Sequence, residues 1–252
     1  MEGFIVLVGT AGSGKTHLAD SFGRWLESMD YSIARINLDP AVDWLPYSPD
    51  IDVRDYVSAQ NVMSEMRLGP NGALIASIDM LIGHVNDLKR DLSQYSVDYY
   101  IVDTPGQMEL FAYRTSGPIV LESLLGSSEA ATVFLVDPIF IEKPSSLVSA
   151  LLLAASSYLR LLKPQVNIVS KSDLLLPDII EFLESGSEEG GLLGEMVVRE
   201  DRSDPLLYRM AEVLDETGFT GRIIPVSSNT NYGFETLYYE LQKIFAGGEE
   251  KD

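Results

Sequence analysis

The 252-residue chain has no cysteine. Disulfides and thiolate metal sites are therefore excluded. Two histidines, His17 and His84, are too few for a His-rich metal centre. Positive charge is also scarce. Eighteen Lys and Arg stand against 38 Asp and Glu, a formal net charge of −20. Such a surface repels nucleic-acid phosphates and anionic headgroups, so no direct nucleic-acid or membrane partner is expected, although one concentrated basic spot stays open. The acid excess reads as solubility or adaptation to salt. Long apolar runs are missing too. The most apolar stretch, residues 147–162, is interrupted by serine and carries Arg160 near its end. It falls short of the ~20 apolar residues of a membrane span. The opening MEGFIVLVGT runs straight into a motif. No signal peptide is expected, and the chain reads as a soluble, cytoplasmic protein.

What is present is a regular alternation. Short apolar runs at residues 4–8, 31–38, 99–102, 132–136, 166–169 and 223–226 predict six buried strands. Between them lie segments with apolar residues at helical spacing: 16–29, 71–94, 144–162 and 234–245. Residues 39–49, with three prolines and two aspartates, read as a loop, and 51–66 as short helices. The pattern predicts an α/β fold with a mostly parallel sheet and helices on both faces, a three-layer arrangement in one domain over residues 1–246. Helical insertions are expected at about 51–94 and 177–218, and a frayed tail at 247–252.

The first strand runs into Gly9-Thr10-Ala11-Gly12-Ser13-Gly14-Lys15-Thr16. This fits G-x-x-x-x-G-K-[ST] with a strand before it and a helix after it, the P-loop NTPase arrangement. Glycines let successive N–H groups turn inward toward phosphate oxygens, and the following helix adds its positive end. Gly12, Ser13, Gly14, Lys15, Thr16 and the backbone of His17 are the candidate phosphate contacts. Lys15 is placed for the β- and γ-phosphates and Thr16 for Mg²⁺. The third strand ends in Asp103-Thr104-Pro105-Gly106-Gln107. Asp103 can hold the water shell of Mg²⁺, Gly106 can offer its N–H to the γ-phosphate, and Gln107 can orient a water. Asp103 alone would equally serve as a helix cap.

The fifth strand ends in Ser170-Lys171-Ser172-Asp173, close to the [NT]-K-x-D pattern. A carboxylate there can accept both N1–H and the 2-amino hydrogens of guanine, a donor pair adenine lacks. Lys171 would pack along the base, and the Ser228 N–H would meet the guanine oxygen. Ser170 replaces the usual Asn or Thr, and its hydroxyl is expected to take over part of that bonding. The plain alternative for the segment is a loop salt bridge.

With Arg67-Leu68-Gly69-Pro70-Asn71-Gly72, these motifs make the chain resemble the GPN-loop GTPases. GTAGSGKT, NLDPAVD, LGPNG, DTPGQMELF and SKSD occur in the family's order over nearly the whole chain. The resemblance implies a Mg²⁺-dependent GTPase that is a homodimer or a paired paralogue. It implies that the Gly69-Pro70-Asn71 loop of one subunit reaches the nucleotide of its neighbour, with Asn71 donating to a phosphate. It further implies that Asp39 lies near Mg²⁺ and the attacking water, with Gln107 in the moving segment after the third strand. A switch acting on a protein client follows by the same analogy, since eukaryotic relatives are linked to RNA polymerase assembly. From the residues alone, Gly69-Pro70-Asn71 is also a helix stop and cap, and Asp39-Pro40 a turn. Trp25 and Trp44 read as packing residues. Two other chemistries share the cradle: a kinase moving the γ-phosphate to an acceptor, and a metallochaperone-type maturation GTPase. The first wants a lid of arginines, the second a His- or Cys-rich segment.

Overall fold

A computed structural model of the protein describes residues 3–185, 193, 204–219 and 223–247. Seven strands form one sheet, and every pairing is parallel. They are β1 (Gly3–Gly9), β2 (Ile33–Asn37), β3 (Ile51–Asp52), β4 (Tyr99–Asp103), β5 (Glu129–Val136), β6 (Gln165–Val169) and β7 (Ile224–Pro225). Their order is β3-β2-β4-β1-β5-β6-β7. Strand β1 therefore sits in the middle, with earlier connections on one side and later ones on the other. Ligands of such sheets bind at the carboxyl ends of the strands where this reversal occurs.

The central strands are buried on both faces, which explains their nearly unbroken apolar sequence. Side chains alternate between faces. Phe4, Val6 and Val8 join Ile36, Tyr100, Val102 and Phe134 in one core. Ile5 and Leu7 join Ile101, Val133, Leu135 and Ile168 in the other. Helices α1 (Lys15–Glu27) and the C-terminal α10 (Phe234–Phe245) cover the second face, through Leu18, Phe22, Leu26, Phe234, Leu237 and Leu241. The first face is covered by α2 (Ala59–Met66), α3 (Pro70–Leu81), α4 (Val85–Leu92), α5 (Met108–Phe111), α6 (Ser116–Leu125), α7 (Pro144–Leu161) and α9 (Pro205–Glu216). Helix α8 (Pro177–Ser185) follows β6.

The sequence pattern departs from the structure in four places. The seventh strand, β3, is two residues long and leads into a 3-10 turn where short helices alone were expected. The expected helix 71–94 is two helices separated by a 3-10 turn at Ile82–His84, where Gly83 lowers helix propensity. Helices α5 and α6 were not foreseen, and β5 begins three residues earlier than its apolar run. The proline in β7 is tolerated because β7 is an edge strand. Of the proposed insertion at 177–218, residues 186–192 and 194–203 lie outside the described residues, as do residues 248–252 of the proposed tail.

Gly233 caps α10 with φ +78, and a Cβ there would lie 2.1 Å from the Pro225 carbonyl oxygen. Gly233→Ala is expected to lower stability by about 2 kcal/mol or more, because left-handed strain and a backbone clash add. Urea unfolding of the variant beside wild type measures it.

Candidate functional site

The loop between β1 and α1 turns on Gly12 (φ +78) and Gly14 (φ +95). Both conformations are open to glycine at no steric cost. Gly14 is the N-cap of α1, so Lys15, Thr16 and His17 occupy the first three helical positions, whose N–H groups have no acceptor within the helix. The Lys15 side chain folds back under the loop. Its ammonium donates to the Gly9 carbonyl at 2.9 Å and to the Thr10 carbonyl at 3.1 Å. Burial lowers its pKa to about 8, against the pull of Asp103, Asp39 and Glu109.

Asp103 ends β4, beside β1. It is buried, and that burial raises its pKa to about 6, against the stabilising effects of Thr16, Lys15 and Tyr47. The Tyr47 hydroxyl donates to Oδ2 at 3.1 Å. Oδ1 is buried with no hydrogen-bond partner among the described residues, and so is Ser13 Oγ. Tyr47 itself is pushed well above the usual phenol range by burial and by Asp103, so it remains a donor.

Asp39 stands at the end of β2 in a fixed turn. Its N–H donates to Asn37 Oδ1 at 3.0 Å, and its Oδ1 accepts the Ala41 N–H at 2.9 Å. Asn37 is fully buried and is held in turn by Asp52, which is paired with Arg54. Asp39 Oδ2 accepts the Gly106 N–H at 3.3 Å. Burial raises the Asp39 pKa against those two backbone bonds.

Gly12, Gly14, Lys15, Thr16 and His17 line one wall of a cleft of about 410 Å³. Asp39, Trp44, Pro46, Thr104, Gly106 and Lys171 complete its lining. Lys171, in the left-handed conformation, donates to the Gly12 carbonyl at 2.7 Å and pairs with Asp137 at 2.6 Å. One side chain thus ties the glycine loop to the ends of β5 and β6. Two residues on, Asp173 accepts from Ser227 Oγ at 2.6 Å and from Asn229 Nδ2 at 3.0 Å. These bonds hold its carboxyl below its usual pKa. Each oxygen keeps a further lone pair for a ligand.

The structure therefore gathers Gly12, Gly14, Lys15, Thr16, His17, Asp39, Gly106 and Lys171 around one cleft. Asp103 lies beneath it, and Asp173 beyond Lys171. Ser228 is half-buried between Ser227 and Asn229. Gln107, half-buried as the N-cap of α5, is not in the lining. Gly69, Pro70 and Asn71 are exposed at the start of α3 and are not in it either. Ser170 differs from expectation. Its hydroxyl is buried and donates to the Val136 carbonyl at 3.2 Å, fastening β5 to β6. Trp44 also differs: it is 69% exposed rather than packed. Asn229 is noted in the sequence only as part of Ser227-Ser228-Asn229, where the usual motif differs, and neither Tyr47 nor Asn37 is singled out. Asn37 belonged to a quoted motif, but nothing in a proline-rich loop marks Tyr47.

The donors suit a hard divalent cation. Thr16 and Asp39 line the cleft, and Asp103, with one buried oxygen left without a hydrogen-bond partner among the described residues, interacts with Thr16. Mg²⁺ keeps several waters and phosphate oxygens as ligands, so few protein oxygens suffice. Among the described residues no helix is long and apolar enough to cross a membrane.

Residues 7–247 match the family described as "Conserved hypothetical ATP binding protein". A GPN-loop GTPase of Pyrococcus abyssi is 35% identical over 94% of this chain and 96% of its own length. GPN-loop GTPase 3 of Saccharomyces cerevisiae is 31% identical over 98% and 94%. The crystal structure of the Pyrococcus abyssi GTPase in its apo form superposes with a TM-score of 0.83 at 33% identity, covering 96% of this chain and 97% of that one.

Asp103 gives a pH test. The folded acid holds its proton more tightly than the unfolded one, so its contribution to stability is full below pH about 4 and is lost as pH rises through about 6. The span from the ordinary 3.8 to about 6 corresponds to about 3 kcal/mol. Asp103→Asn is expected to stabilise the nucleotide-free protein by up to that amount at pH 7.5 and by little at pH 4.5. Thermal melts of both proteins across that range measure it.

Proposed function

The chain belongs to the family of GPN-loop GTPases, and from that membership and the cleft we propose that it binds GTP with Mg²⁺ and hydrolyses it. One observation carries the reading of the base. A carboxylate fixed by two side chains, Asp173 with Ser227 and Asn229, lies next to the lysine that closes the phosphate cleft. Guanine presents two donors to such a carboxylate and adenine presents none in that geometry.

Hydrolysis needs a water in line with the β–γ bond and neutralisation of spreading negative charge. Lys15 would exchange its loop carbonyls for phosphate oxygens. Gly106 would turn its N–H from Asp39 to the γ-phosphate, releasing the carboxylate to orient the water with Gln107. Mg²⁺, held by Thr16 and Asp103, would supply charge neutralisation at the phosphates. The same exchange makes a switch: the loop carrying Asp39 and the segment after β4 are joined through Gly106, and loss of the γ-phosphate would restore that bond. We assign this switch to the control of a protein client.

Asn71 is assigned to the partner subunit's nucleotide. Its exposure outside its own cleft supports this, as do the exposed Met63, Met66 and Leu68 beside it, an apolar surface suited to a homodimer. An amide from the neighbour would act on the transition state as an oxyanion-hole donor does.

Asn71→Ala is expected to lower kcat about 10²-fold while leaving the affinity for a non-hydrolysable GTP analogue unchanged. Mixing it with Lys15→Ala, which retains Asn71 but not the nucleotide, should restore turnover. If the mixture stays inactive, the loop does not act in trans. Asp173→Asn should bind xanthosine triphosphate in place of GTP, because an amide N–H can face the 2-oxo group of xanthine. Equilibrium binding of the two nucleotides measures the exchange.

A further inference from the structure

The loop from Asp39 to Asp50 touches the site in two places. Trp44 and Pro46 line the cleft, whereas Tyr47 packs against the core shared by α1 and α10 and its hydroxyl reaches the Asp103 carboxylate. The two oxygens of that carboxylate have different surroundings. Oδ2 accepts the Tyr47 hydroxyl at 3.1 Å, while Oδ1 is buried with no partner among the described residues. A lone carboxylate in the interior rotates to share its bonds. Thr16 also acts on this carboxylate, and Tyr47, on a separate segment 56 residues away in sequence, is the donor that engages Oδ2.

We propose that Tyr47 is the positioning residue of Asp103, holding Oδ2 so that Oδ1 is the oxygen offered to a divalent cation of the nucleotide site. The assignment rests on the Mg²⁺-dependent GTP reading above. In this assignment Tyr47 acts through Asp103, as residues that orient metal-binding carboxylates do. It also joins two parts of the site that the sequence keeps apart. Tyr47 to Asp103 and Asp39 to Gly106 are separate bonds from one loop to the end of β4, the second between residues of the cleft lining. The Asp39–Gly106 bond is the one that a γ-phosphate would break, and the Tyr47–Asp103 bond is the hinge that stays.

The test is calorimetric titration of Mg²⁺ into the full chain loaded with GTPγS, for wild type, Tyr47→Phe, Asp103→Asn and the double variant. Tyr47→Phe keeps the ring and removes one hydroxyl, so it preserves the packing. The expected result is about tenfold weaker Mg²⁺ binding in Tyr47→Phe. GTPγS affinity in EDTA should stay within about twofold of wild type, and the change should add nothing in the Asp103→Asn background. Mg²⁺ affinity equal to wild type would overturn the assignment. So would an equal loss of GTPγS binding in EDTA, which marks a general loop defect, or full additivity with Asp103→Asn. If wild type with GTPγS bound takes up no Mg²⁺, the underlying reading falls and this assignment with it. A wild type that binds Mg²⁺ beside an unaffected Tyr47→Phe overturns the assignment alone.

Discussion

The structure depends on two opposite charges buried under one loop. Lys15 lies beneath its own glycine-rich turn, and Asp103 beneath it at the end of the neighbouring strand. Neither is comfortable as an ion. Burial lowers the lysine to about 8 and raises the aspartate to about 6, and their mutual attraction offsets only part of that. The lysine satisfies itself on two loop carbonyls, and the aspartate leaves one oxygen unpartnered among the described residues. Such sites are held in place by the surrounding fold and are relieved by ligand. A triphosphate and a hard cation are the complementary pair of charges.

The sheet supplies the holding. Because every strand is parallel, all seven carboxyl ends reach one edge, and β1 stands between β4 and β5 there. The glycine loop, Asp103, Asp39 and the Lys171 segment are all exits from that edge. Their relative positions are set by the strand ladder and by two buried cores. What remains adjustable is the set of bonds between exits: Lys171 to Gly12 and Asp137, Asp39 to Gly106, Tyr47 to Asp103. Binding energy from phosphate and base can redistribute these without disturbing the cores. That is the physical content of the switch proposed here.

The parts of this arrangement legible in the sequence are those carried by short contiguous segments. The glycine loop shows itself because its backbone requirements and its Lys and Thr fall within eight residues. The strands show themselves because burial on both faces leaves an apolar run. Strand β3 does not, because two residues carry no period. The break at Gly83 is hidden because the apolar stripe continues across it. Trp44 is exposed where packing is expected, because a large aromatic in a loop has no local feature that separates surface from core. Tyr47 was passed over for a related reason: its partner is a strand-end carboxylate distant in sequence, brought near only by the β2–β4 pairing. Ser170 was assigned ligand-side bonding, whereas its side chain turns inward to the neighbouring strand. The role proposed for Asn71 is invisible to a single chain, since it depends on what the exposed start of α3 meets.

In the proposed function the loop cradle and the distant carboxylate act together to select one purine triphosphate. Calorimetry of GTP and of ATP with the wild-type chain, in the presence of Mg²⁺, tests it most directly. One GTP bound per chain, and ATP at least about 100-fold weaker, are expected. Equal affinities for the two nucleotides, on well-folded protein, would contradict it.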